Sequence, residues 1–174
     1  MDTREMLRVG VISDTHGGLP REAYNALKGC DHIIHAGDVG SPSVLYKLEE
    51  ISMVTAVLGN CDRADDFEDY LDKNERKIGY SAKLTLAGVK ILVMHRPESL
   101  HAALAGQKPA TLALGEALPQ LAIHGHTHTP RKELVASTLM LCPGSPNRPR
   151  NSMPSVATLT LGTGKIISVK FVEL

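Results

Sequence analysis

Apolar residues fall into short runs separated by stretches of helical spacing over the first sixty positions. Arg8-Val9-Gly10-Val11-Ile12 reads as a buried strand, followed by a polar turn from Ser13 to Gly18. Leu19 to Lys28 repeats apolar positions at helical intervals, with Pro20 near the first turn and Gly29 as a stop. His32 to Ala36 is the next strand. Ser41 then serves as an N-cap with Pro42 at the first helical position, opening a helix that runs to Glu50. Ser52 to Leu58 is a third strand. Strand, helix, strand, helix, strand predicts a parallel sheet with right-handed crossovers.

The texture changes after position 60. An acidic stretch from Asp62 to Glu75 reads as a loop or short exposed helix. Ala82–Leu86 and Val89–Met94 flank Ala87-Gly88, a hairpin signal. Glu98–Ala105 and Pro109–Ala117 have helical character, and Leu121–Ile123 is a short strand. From Lys132 to Leu174 the chain looks hairpin-like, punctuated at Ser137-Thr138, Pro143-Gly144 and Gly162-Thr163-Gly164. A parallel first half and a hairpin-rich second half suggest an α/β fold of two packed sheets with helices outside. The whole chain, 1–174, suits a single domain.

Composition narrows the function. Lysine plus arginine and aspartate plus glutamate both number 19, giving no net charge, and aromatic residues make up 3% of the chain. That balance argues against a dedicated nucleic-acid binder, which needs a basic footprint and stacking rings. No apolar run is long enough to span a bilayer, and the N-terminus shows no secretory core, so no membrane partner and a cytoplasmic location are expected. Cys30, Cys61 and Cys142 fit neither a disulfide framework nor a zinc knuckle. Eight histidines, most of them crowded into a few segments, are the informative excess.

Polar insertions follow five of the expected strands. Asp14-Thr15-His16 follows the first, Gly37-Asp38 the second and Gly59-Asn60-Cys61-Asp62 the third. His95 ends the strand Val89–Met94, and Gly125-His126-Thr127-His128 follows Leu121–Ile123. Ligands and catalytic groups collect at the carboxyl ends of strands in open α/β sheets. The two imidazoles of Gly-His-Thr-His, spaced by two, would share one face of a short extended segment. Two carboxylates, one amide oxygen and four imidazoles suit divalent cations such as Mn²⁺, Fe²⁺ or Zn²⁺. Seven ligands exceed the needs of one ion with an open position; with one shared carboxylate they serve two ions, roughly 3.5–4 Å apart. His32, His35, His101 and His124 are read as structural, with His124 the nearest to the site in sequence.

These ordered blocks resemble those of the calcineurin-like metallophosphoesterases, and more narrowly the small bacterial and archaeal phosphodiesterase group. The likeness extends from Val9 to the last strands and includes Pro143-Gly144-Ser145 followed by Pro149-Arg150. It implies a four-layer α/β/β/α sandwich of two mixed sheets flanked by helices. It also implies two divalent ions, most readily Mn²⁺, with Fe, Ni or Zn as substitutes. Asp14, His16 and His128 would hold one, Asn60, His95 and His126 the other, and Asp38 would bridge them. Asp38, Asn60 and His95 then carry the catalytic role. A hydroxide held between the ions would attack phosphorus in a small phosphoester, most readily a phosphodiester.

This chain departs from the family in places. Asn60-Cys61-Asp62 stands where many relatives have Asn-His-Glu, though the small phosphodiesterase group looks similar here; the change removes a histidine able to protonate a leaving alkoxide, so either good leaving groups are favoured or the proton comes through water. Cys61 is either a substrate-binding residue or simply a small buried side chain. Arg96-Pro97 follows His95 in place of glycine; Arg96 either reaches a substrate phosphate or covers the rim. Cys142 replaces the usual asparagine before Pro143-Gly144. Two alternatives stand beside the enzyme: a non-catalytic scaffold like the retromer subunit of the same fold, and a metal-dependent nuclease. The scaffold subunit departs from the carboxylate positions, which are intact here. Edge strands leave room for a homo-oligomer.

Overall fold

The computed structural model describes residues 6–70, 78–106 and 117–174. In chain order the elements are β1 (Leu7–Ile12), α1 (Arg21–Leu27), β2 (His32–His35), α2 (Pro42–Glu49), β3 (Met53–Ala56), a 3₁₀ turn (Ala64–Phe67), β4 (Ser81–Leu86), β5 (Val89–Met94), α3 (Pro97–Leu104), β6 (Leu121–Ile123), β7 (Arg131–Val135), β8 (Thr138–Cys142), β9 (Ser155–Gly162) and β10 (Lys165–Glu173). They build two five-stranded sheets, ordered β10-β9-β1-β2-β3 and β4-β5-β6-β8-β7. β1, β2 and β3 are parallel, and β9 and β10 continue that sheet antiparallel. In the second sheet β5, β6 and β8 are parallel, with β4 and β7 as antiparallel edges.

Side-chain alternation along the strands explains the layering. Val9 and Val11 of β1, Leu159 and Leu161 of β9, Ile91 and Val93 of β5 and Leu121 and Ile123 of β6 form one apolar cluster between the sheets. The intervening positions face outward. Ile12 and Ile33 pack with Ala23, Leu27, Val44, Leu45 and Leu48 of α1 and α2, while Leu92, Ala122 and Met140 pack with Leu100 and Ala103 of α3. Three cores separate four layers, α/β/β/α. Each central strand is buried on both faces, so it reads as a continuous apolar run rather than an alternating one.

The tail is hairpin-like, as its sequence suggests. Its two hairpins go to different sheets, β7-β8 extending the second and β9-β10 the first, and β8 pairs parallel with β6. The β7-β8 turn lies at Ala136-Ser137, because Thr138 already belongs to β8, where its buried hydroxyl donates to the Pro119 carbonyl at 2.6 Å. The third strand is shorter than expected at Met53–Ala56, with Val57 forming a separate bridge to Gly79. Within the acidic stretch Phe67 and Tyr70 are buried against α2, so part of it is a packed turn rather than an exposed one. The helix expected over Pro109–Ala117 falls almost wholly outside the described residues. Ser41 caps α2 through its side chain, which accepts from Ser43 N–H, and Pro42 opens the helix. No helix among the described residues is long and apolar enough to cross a membrane.

Candidate metal centre

The carboxyl ends of β1, β2 and β3 meet those of β5 and β6 along one seam. Backbone bonds hold the loops in register: Asp14 N–H donates to Gly37 O at 2.9 Å, His16 N–H to Asp38 O at 3.0 Å, and Gly125 N–H to His95 O at 3.0 Å. Two bonds cross the seam. His95 Nδ1 lies 2.8 Å from Ala36 O, and His126 N–H points at both Asp14 oxygens from 3.1 and 3.2 Å. Five ligand positions occupy left-handed backbone, with φ of 56° at Asp14, 47° at His16, 52° at Asp38, 68° at His126 and 60° at His128. Aspartate and histidine tolerate that region better than most residues, yet each such position costs about 1 kcal/mol or more. Clustering of strain at one polar spot is the mark of a built site.

All seven sequence-predicted ligands converge there, in two overlapping groups. Asp14, His16, Asp38 and His128 offer donor atoms that lie within 4.8 Å of one another. His128 Nε2 is 3.2 Å from Asp14 Oδ1, and His16 Nε2 is 3.4 Å from His128 Nε2. In the second group, Asn60 Oδ1 lies 3.1 Å from His95 Nε2 and 2.8 Å from His126 Nδ1. Asp38 belongs to both, its Oδ2 lying 3.4 Å from His95 Nε2 and 4.0 Å from His16 Nε2. Burial favours a raised pKa for Asp38, but the His95 imidazole and the Cys61 N–H outweigh it and hold the carboxyl well below the usual range. Burial raises the Asp14 carboxyl, and contact with the Ser13 hydroxyl only partly offsets this.

The donor chemistry fits cations. His95 Nδ1 faces the Ala36 carbonyl and His128 Nδ1 faces the Arg148 carbonyl. A carbonyl can only accept, so each Nδ1 carries a proton and each ring turns its Nε2, the atom through which an imidazole ligates a cation, inward. The Nε2 atoms meet carboxylate and amide oxygens at 3.1–3.4 Å. Imidazole nitrogens grouped with carboxylate and amide oxygens form a donor set that suits a divalent cation. Hydrogen bonds from ligand imidazoles to backbone carbonyls are the outer-shell arrangement that metal sites use to fix the tautomer.

The sequence pattern at His126 and His128 suggests an extended segment, and the structure corrects this. Thr127 N–H donates to Gly125 O at 2.8 Å, closing a γ-turn at His126 whose positive φ breaks the extension. The two rings therefore part, His126 toward Asn60 and His128 toward Asp14. Cys61 is exposed rather than buried, at the edge of the ligand groups. Burial and the nearby Asp38 carboxylate push its thiol upward. Cys142 is buried, with Sγ 3.4 Å from Thr127 Oγ1. His124 lies outside the site; burial lowers it to about 4, and its Nδ1 bonds the Gly125 carbonyl.

Several supporting residues carry no sequence signal of their own. Asp62 accepts three backbone N–H bonds, from Val39 at 3.0 Å, Gly40 at 2.8 Å and Gly59 at 2.8 Å, fastening the Asp38 loop to the Asn60 loop. Thr15 donates to Val39 O at 2.9 Å, so His35 Nε2, 2.9 Å from the same hydroxyl, must be the donor. Burial lowers His35 to about 3, keeping it neutral. Ser145 donates to Asp14 O, and Asn147 to Thr15 O and Gly18 O, tying the late Pro-Gly-Ser segment to the first loop.

Gly59 and Gly125 are set by close approach. A Cβ at Gly59 would lie 2.0 Å from Asp38 Oδ1, and one at Gly125 would lie 2.6 Å from Asp14 Oδ2. Gly59→Ala is expected to displace the Asp38 carboxylate and lower metal affinity at least tenfold. Titration of the purified variant with Mn²⁺ checks this; affinity equal to the parent's would show that the loop yields elsewhere.

The sequence from 7 to 164 matches the model of the calcineurin-like phosphoesterase superfamily domain. The chain belongs to that superfamily. A probable metallophosphoesterase of Methanocaldococcus jannaschii is 33% identical over 164 residues, covering 88% of this chain and 75% of that one. A probable metallophosphoesterase of Methanothermobacter thermautotrophicus is 30% identical over 163 residues, covering 91% and 88%. Among solved structures, an archaeal phosphodiesterase superposes with a TM-score of 0.76 at 24% identity, over 97% of this chain and all of that one. The zinc-complexed Vps29 of Entamoeba histolytica shares the fold at a TM-score of 0.69 and 18% identity, over 97% and 98%. As a calcineurin-like phosphoesterase domain, the chain carries the superfamily's four-layer sandwich together with an Asp/His cluster able to hold metal.

Proposed function

We propose that this chain is a phosphodiesterase acting on small phosphodiesters at a centre for two divalent ions, Mn²⁺ by preference. The observation that carries the reading is the convergence of carboxylate, amide and imidazole ligand atoms in two groups that share Asp38. Asp14, His16, Asp38 and His128 would hold one ion, and Asp38, Asn60, His95 and His126 the other. Bound ions would supply Lewis acidity and water activated near neutral pH. The chain's own residues do the rest. Arg148 and Arg150 line a recess of about 400 Å³ together with His16, His126 and His128, where their charge would draw in an anionic diester. Asp38, Asn60 and Cys61 line it too. Cys61 offers no imidazole to protonate a departing alkoxide, which favours aryl over alkyl leaving groups.

The second reading is a non-catalytic scaffold of the same fold. Elemental analysis of the purified protein, paired with hydrolysis of bis(p-nitrophenyl) phosphate under added divalent metals, tests the choice. Two ions per chain and metal-dependent turnover are expected, and retained turnover after complete chelation would overturn the two-ion reading. No metal and no turnover would return the chain to the scaffold class.

A further inference from the structure

A second cleft of about 170 Å³ borders the ligand groups at Asn60 and His95. Tyr80, Met94, Arg96 and Ser99 line it with those two residues. The ligand groups thus border two unlike recesses: Arg148 and Arg150 line one, a tyrosine and a methionine the other. Tyr80 is 65% exposed, and it is the one aromatic among the large exposed apolar side chains of the described residues. Four tyrosines and two phenylalanines are all the aromatics this chain has. A ring left in solvent beside a polar centre is a candidate binding surface, because its face and the Met94 thioether are both good partners for another flat ring.

We propose that this cleft seats a planar aromatic ester group of the substrate, packed on Tyr80 and Met94 with its polar edge toward Arg96 and Ser99. The assignment rests on the phosphodiesterase reading and extends it to a substrate class, aryl or heteroaromatic phosphodiesters. Position argues for it. The cleft shares Asn60 and His95 with the ligand groups, so whatever fills it lies against two of the proposed metal ligands. Size argues for it too: an apolar cavity of about 150 Å³ takes one benzene ring. Arg96 is thereby placed. It lines the aromatic cleft rather than the basic recess, and a guanidinium serves a ring through its face or through heteroatoms at its edge.

Binding to the Mn²⁺-loaded protein tests the proposal with three probes whose P–C bonds resist hydrolysis: dimethylphosphinate, benzyl(methyl)phosphinate and cyclohexylmethyl(methyl)phosphinate. Calorimetry is expected to show the benzyl compound binding about tenfold more tightly than the methyl one, with the cyclohexyl compound well behind it. In Tyr80→Ala the benzyl-to-methyl ratio should fall to about one, and in Tyr80→Phe it should persist. Equal affinities in the parent, a cyclohexyl probe as tight as the benzyl one, or a ratio that survives Tyr80→Ala would overturn it. Hydrolysis of bis(p-nitrophenyl) phosphate run in parallel separates the two readings. Turnover without ring selectivity discards the cleft alone, whereas ring-selective binding without turnover discards the esterase and, with it, the assignment of the cleft to a substrate ester, leaving only an aromatic-binding surface. An absence of both overturns the two together.

Discussion

Asp38→Asn is expected to lower hydrolysis of an aryl phosphodiester on the order of 10³-fold and to reduce the bound metal from two ions per chain to one or none. Asparagine keeps the shape, and it is among the residues that best tolerate the φ of 52° found here. Its amide oxygen can still accept the Cys61 N–H that Asp38 Oδ1 accepts at 2.8 Å. The fold should therefore survive, with an unchanged circular dichroism spectrum. What disappears is the negative charge, and with it the one oxygen that faces both His16 and His95. Elemental analysis and turnover on the same sample decide the matter, and an active, fully metallated variant would sink the assignment of Asp38 as the shared ligand.

Asp62→Asn should act by a different route. Its carboxylate lies 8% exposed and accepts from three backbone amides on two loops, Oδ2 serving Val39 and Gly59 and Oδ1 serving Gly40. An amide in that position sets an NH₂ donor against at least one N–H donor and removes the charge that strengthened the others. Bonds to charged acceptors contribute about 1.5–3 kcal/mol each, so a loss of about 2 kcal/mol in unfolding free energy is expected by urea titration. Loosening the loops that carry Asp38 and Asn60 should also cost about 10–100-fold in metal affinity. The two variants are thus distinguishable: Asp38→Asn spares stability and Asp62→Asn does not. Parent-like stability in Asp62→Asn would show that the loops hold without the carboxylate.

The ligands were legible in sequence because each terminates an apolar run. Val9 to Ile12 before Asp14, and Leu121 to Ile123 before His126, mark buried strands whose ends must carry polar groups, and five such ends share one composition. Asp62 stood in plain view beside Asn60, but nothing in its spacing says that it bonds backbone rather than cation. The direction of the His126 ring was illegible for a related reason. Spacing by two implies a common face only in extended chain, and a γ-turn held by Gly125 and Thr127 is a local hydrogen-bond event without a pattern of its own. The partition of the tail between sheets was hidden as well. β7-β8 and β9-β10 are both hairpins locally, and their destinations depend on which sheet has an edge left to fill. Tyr80 carried no signal at all, since exposure of a ring is a property of the finished surface.

The seam on which the site lies makes the two sheets partners in the chemistry. Asp14, His16, Asp38 and Asn60 ride on one slab, and His95, His126 and His128 on the other. Slippage of the slabs would change several donor separations at once and in a correlated way. The greasy filling between them, with Val11, Ile34, Val93 and Ile123 entirely inaccessible to water, is then the spacer that sets the gauge of the site. Close-packed interiors transmit small displacements rather than absorbing them. A methyl group lost from that filling is felt at the rim as a change of alignment, far from any charged atom.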